Sequence, residues 1–184
     1  VVASPQTLGV DERRALAAWA AECAAHVLPI FERTVPADGR VRASIDQARS
    51  FAAGEIDAAE AIRRRGGDTG AAAREAPTPA ARAAAYAAEQ AAAVAHMGAH
   101  ALGAAGYAAK AATLDAGSID DSVIHREARR QLSEISDAVA RALSCLPRLG
   151  DDRRGPLGPG RLAQGLVGDA IREIQRLLDV RPVQ

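Results

Sequence analysis

The stretch Thr78-Pro79-Ala80-Ala81-Arg82-Ala83-Ala84-Ala85-Tyr86-Ala87-Ala88-Glu89-Gln90-Ala91-Ala92-Ala93-Val94 decides the fold class. Alanine loses no side-chain entropy in a helix and is the best helix former. Thr78 has the chemistry of an N-cap, and Pro79 is pre-organised for the first helical position. The same composition extends outward. Of 184 residues, 46 are alanine and only 3% are aromatic. Few aromatic or β-branched residues are left to build a sheet. The expectation is an all-α protein, a compact Ala-rich bundle of about six helices closed by a C-terminal α-hairpin.

Helical periodicity places the elements. Leu16, Trp19, Ala20, Cys23, Val27, Ile30 and Phe31 mark one face of a helix over 11–33, with Pro29 expected to kink or end it near Leu28. A helix over 40–53 buries Val41, Ile45, Ala48 and Phe51 and stops at Gly54. Asp57 and Glu60 form a capping box for a short helix ending in Arg63-Arg64-Arg65, and 66–77 reads as a loop carrying a helical turn at 71–76. The helix from Pro79 can run to Thr113, with a break near Gly98 left open. Ser118 and Asp121 open another helix, in which Leu132, Ile135, Val139, Ala142 and Leu146 form a heptad seam. A final helix over 161–179 presents Leu162, Leu166, Ala170, Ile171, Ile174 and Leu178. One domain is expected, with an Ala-rich core over 10–115, a hairpin over 118–180 and a flexible loop at 147–160. The leucine and isoleucine faces of the hairpin suggest a homodimer seam.

Charge excludes some classes of partner. Lys+Arg and Asp+Glu are both 23, with Lys110 the single lysine. A neutral chain has no field to draw it to nucleic acid or an anionic membrane. Two cysteines cannot staple a fold of this size. The uncharged stretch 90–109 could span a bilayer by length, but its Ala/Gly content, His96 and His100 read as a buried helix of a soluble fold. No secretory signal is read at the first residues, and a cytoplasmic location is expected.

On a continuous helix Glu89, His96, His100 and Tyr107 fall within about a 40° arc, a polar line on an apolar element. His96 and His100, at i and i+4, have the spacing to chelate a metal, with Cys23, His26 or Glu22 as a third ligand. The same four residues are the candidate acid/base set of a small enzyme. The bland alternative is a pair of buried histidines bonded to backbone or to Glu89. Cys23 and His26 could form a reactive pair, but Cys23 lies on the apolar stripe and reads as structural, as does Cys145. Arg63–Arg65, and Arg126, Arg129 and Arg130, read as solvated charge. There is no phosphate loop, no GxSxG and no zinc-type CxxC pair, and no cofactor is implied.

Two stretches carry a resemblance. One is Leu16-Ala17-Ala18-Trp19-Ala20-Ala21-Glu22-Cys23-Ala24-Ala25-His26-Val27-Leu28-Pro29-Ile30-Phe31-Glu32, with Pro36, Arg40, Arg42, Ile45, Ala48, Arg49 and Gly54-Glu55-Ile56 following. The other is Ala95-His96-Met97-Gly98-Ala99-His100-Ala101-Leu102-Gly103-Ala104-Ala105-Gly106-Tyr107-Ala108-Ala109-Lys110. Together, over about 16–112, they resemble the Imm-five-like immunity proteins of bacterial polymorphic-toxin systems. The resemblance implies an all-helical binding protein that neutralises a toxin domain by occluding it. It transfers no catalytic residue. The binding candidates are Trp19, Glu22, His26, Glu32 and Lys110. The small enzyme or metal-binding protein built on the polar line stays open as the alternative.

Overall fold

The computed structural model describes residues 4–64, 68–117 and 121–181. Among them it is all-helical, with no strand and nine α-helices rather than about six. The first two are α1 (Val10–Thr34) and α2 (Arg40–Ala53), followed by the short α3 (Ala58–Arg64) and α4 (Asp68–Glu75). The Ala-rich stretch forms α5 (Pro79–Ala93) and α6 (His100–Asp115). The remaining helices are α7 (Asp121–Leu132), α8 (Asp137–Ser144) and α9 (Gly165–Asp179), the last preceded by a 3-10 turn at Arg161–Ala163.

α5 and α6 pack closely against each other, and α1 lies across both. α2 covers α1 and α5 on one side; α7 and α9 cover α6 on the other, and α8 rests on α1. Ten alanines of α5 are buried, so small side chains let its neighbours approach from several directions. The larger anchors Leu16, Phe31, Ile45, Phe51, Leu102 and Ile171 are fully covered.

Several expected signals act as read. Thr78 Oγ1 accepts the Ala81 amide at 3.1 Å, and Asp57 Oδ1 accepts the Glu60 amide at 2.7 Å. Gly54 ends α2 in the left-handed region, φ 78°. Arg65 and Ser118 lie outside the described residues.

Other expectations are corrected. α1 does not end near Leu28 but continues through the exposed Pro29 to Thr34. The region read as a loop with one helical turn carries α4 from Asp68 onward. The break left open near Gly98 is present, since the Pro79–Thr113 stretch is interrupted over 94–99, and the N-terminal segment supplies the reason. The Gly98 and Ala99 amides donate to the carbonyls of Thr7 and Gln6, each at 3.0 Å, while Arg13 Nη1 donates to the Ala95 carbonyl. Leu8 fills the space where a Cβ on residue 98 would lie.

The heptad seam is likewise split by the turn 133–136. Ser136 starts α8 by accepting the Val139 amide at 3.3 Å. Ile135, Val139, Ala142 and Leu146 are buried within the chain, as are Ala170, Ile171 and Ile174 of α9. The apolar faces that suggested a dimer are therefore covered from inside. The exposed large apolar residues among the described ones are Val10, Ile62 and Val180, none of them on that seam. The loop at 147–160, read as flexible from its Gly and Pro content, is tied to Gln6. The Gln6 amide donates to Asp152 Oδ2 at 2.8 Å and to the Arg154 carbonyl at 2.5 Å, and accepts the Leu157 amide at 3.0 Å.

Candidate functional site between α1 and the α7–α8 turn

Residues 19, 22, 23 and 26 recur at three and four, so one face of α1 carries Trp19, Glu22, Cys23 and His26 together. Opposite that face, α7 ends and the chain turns through Ser133-Glu134-Ile135-Ser136 into α8. The two walls enclose an open groove of about 820 Å³. Trp19, Ile135 and Val139 give it an apolar floor; Glu22, His26, Arg130 and Glu134 stand around it.

The walls are tied at the base. Trp19 Nε1 donates to the Gln131 carbonyl at 2.8 Å, and Gln131 Nε2 donates to the Ala105 carbonyl of α6 at 3.1 Å. Glu127, with its side chain only 7% exposed, accepts two hydrogen bonds from Arg130, at 2.6 and 3.0 Å, and one from Gln131 Nε2 at 3.2 Å. His26 Nε2 faces the same carboxylate at 3.7 Å, on a side chain 46% exposed. Burying a carboxylate is costly unless its oxygens are satisfied, and three donors satisfy this one. The Cys23 thiol is 2% exposed, and burial pushes its pKa well above the ordinary thiol value despite the opposing field of Arg130. It is a poor nucleophile there. The groove thus combines an apolar floor with polar groups at fixed positions.

Of the sequence-derived binding candidates, Trp19, Glu22 and His26 line this groove. Glu32 does not; it pairs with Arg42 of α2 at 2.6 Å. Lys110 is half-buried on α6 and lines no wall of the groove.

The polar line expected on a single helix is dispersed by the break at 94–99. Glu89, on α5, faces a separate cleft with Arg40, Ser44 and Thr69. His96 lies in the turn and is exposed rather than buried. His100 begins α6, and its Nδ1 lies 2.9 Å from Gln90 Oε1. Tyr107 is buried against Tyr86, ring centroids 5.3 Å apart, with its pKa raised by burial. The His96 and His100 rings remain neighbours at 6.5 Å, whereas Cys23 and His26 sit in the α1 groove. Among the described residues, no three His, Cys, Asp or Glu side chains group to hold a metal ion. Cys145, read as buried, is exposed where it caps α8.

Gln131 and the turn 133–136 were missed, because a heptad seam reads as one continuous helix. Ser136-Asp137, an N-cap followed by an acidic first turn, is the signal that marks the break.

Residues 6–138 match the model of the family described as "Imm-5 like putative immunity protein". The chain belongs to that family. No curated protein and no solved structure matches it. The family stretch runs past the 16–112 resemblance to residue 138, and so takes in nearly all of both groove walls. Among the described residues of this family member, no helix is long and apolar enough to cross a membrane.

Proposed function

We propose that this immunity-family protein neutralises a bacterial toxin domain in the cytoplasm by binding it and covering its active site, with the α1/α7–α8 groove at the centre of the contact. The observation that carries the reading is the coincidence of the family match with the groove. Three residues singled out by the family pattern or its neighbourhood, Trp19, Glu22 and His26, line the large groove together. Occlusion needs a preformed surface; the Trp19 hydrogen bond to the Gln131 carbonyl fixes one wall to the other, and the Gln131 side chain ties its wall to α6. A stable complex would bury about 1,200–2,000 Å² in total, so the groove would seat an anchor within a wider contact.

The test is co-expression with a toxin domain encoded beside its gene. Wild-type protein should restore growth and co-purify with the toxin. Ala18 is exposed and lines the groove, so Ala18→Tyr should weaken the complex at least tenfold. Ala59→Tyr, on the exposed face of α3, should leave it unchanged. No rescue by the wild-type chain would remove the immunity reading. Full rescue by Ala18→Tyr would move the contact elsewhere on the surface.

A further inference from the structure

We propose that the groove receives a basic side chain of the partner, a lysine or arginine, with its stem on the apolar floor and its charged head directed to Glu134; this rests on the toxin-binding reading above.

The charges around the groove are unevenly spent. Arg130 is neutralised by Glu127 through two hydrogen bonds, and His26 faces that same carboxylate. Glu22 is paired with Arg49 at 2.9 Å. Glu134 is exposed and makes no ion pair among the described residues. The remaining unpaired charge at the groove is therefore negative.

The floor selects the rest of the ligand. Trp19, Ile135 and Val139, with Ala18 and Ala25 beside them, offer an apolar bed for a methylene stem. Lysine and arginine bury such stems while keeping a charged, donor-only head at a polar edge. A carboxylate would meet the like charge of Glu134, and a purely aliphatic side chain would fill the floor and leave that charge unpaired.

Trp19 is the single tryptophan of the chain, so its indole resonance and fluorescence report this groove alone. The probes are Nα-acetyl-lysine amide and Nα-acetyl-arginine amide, with Nα-acetyl-norleucine amide and Nα-acetyl-glutamate amide as controls. The basic probes should shift the Trp19 indole N–H resonance saturably in the millimolar range. Norleucine amide should bind at least fivefold more weakly, and glutamate amide should give no saturable shift. Glu134→Gln, an exposed change, should weaken the basic probes at least threefold and flatten their salt dependence. Equal binding of norleucine and lysine amides, tighter binding of glutamate amide, or no response to either basic probe would each overturn the proposal. Toxin rescue by the wild-type chain alongside any of these outcomes would retain the immunity reading and discard only the basic anchor.

Discussion

Trp19 on α1 donates its indole N–H to the main-chain oxygen of Gln131, 2.8 Å away at the end of α7. That carbonyl belongs to the last turn of its helix, where no intrahelical donor is available. The bond therefore does for α7 what a capping group would do, and does it from another helix. It also sets the spacing of the groove walls.

Trp19→Phe keeps an aromatic ring but removes the donor and some volume. The Gln131 carbonyl is left buried without a partner, so the variant should lose about 1–3 kcal/mol of stability. Urea denaturation followed by far-ultraviolet circular dichroism measures it. An unchanged midpoint would mean that water replaces the indole at no cost.

How far the sequence carries is visible at this joint. Periodicity placed Trp19 and Cys23 on one buried face of α1 because local sidedness is written in residue spacing. Gly98 marked where the helix from Pro79 could break, but spacing could not show what breaks it. That break depends on carbonyls of Gln6 and Thr7, about ninety residues earlier, taking over two amides. The polar line from Glu89 to Tyr107 is divided by it between α5, the turn and α6, since its arc required an unbroken helix. The α7–α8 turn was hidden for a related reason: Leu132, Ile135 and Val139 satisfy a heptad equally well when the chain turns between them and still packs each one against the core. Half of the groove was thus legible from α1, and the other half depended on tertiary contacts that spacing does not encode.

Gly155 tests how firmly Gln6 holds the 147–160 loop. Its φ is +76°, and an added Cβ would lie 2.7–2.9 Å from the Gln6 amide group. Gly155→Ala therefore forces an unfavourable backbone conformation, costing about 1–2 kcal/mol, and displaces a side chain that bonds to Asp152, Arg154 and Leu157. Gly39, with φ −78° and open space at its Cβ, should accept alanine within about 0.5 kcal/mol. Thermal melts of the two variants should separate clearly. Hydrogen exchange at the Leu157 amide should accelerate only in Gly155→Ala.

Glu173 clamps α7 to α9. Its buried carboxylate lies 2.9 Å from His125 Nδ1 and accepts two hydrogen bonds from Arg176, each 2.7 Å. The Arg176 hydrogen bonds, aided by His125, lower its pKa from 4.5 to about 2. A group whose folded-state pKa lies below its unfolded value stabilises fully above the unfolded value. The contribution should be present above about pH 4.5 and disappear as pH falls toward 2. Both partners are half exposed, which limits the effect to about 1–2 kcal/mol. Glu173→Gln should be less stable at neutral pH and lose stability less steeply between pH 4.5 and 2. Parallel pH–stability curves for the variant and the wild type would rule out the clamp.

The two cysteines should differ sharply toward a thiol reagent. Cys145 is exposed at the end of α8, whereas Cys23 is 2% exposed and burial disfavours its thiolate. Attack requires the thiolate, so access and ionisation act in the same direction. At pH 8 the native protein should release one equivalent of thionitrobenzoate from 5,5′-dithiobis(2-nitrobenzoic acid), and a second only in urea, with native rates at least a hundredfold apart. Cys145→Ser should abolish the native reaction. Rapid reaction at Cys23 would mean that the groove opens to its base and that the thiol is available for chemistry. Protection of Cys23 would match its burial at the base of the groove and leave Cys145 as the reactive thiol of the native protein.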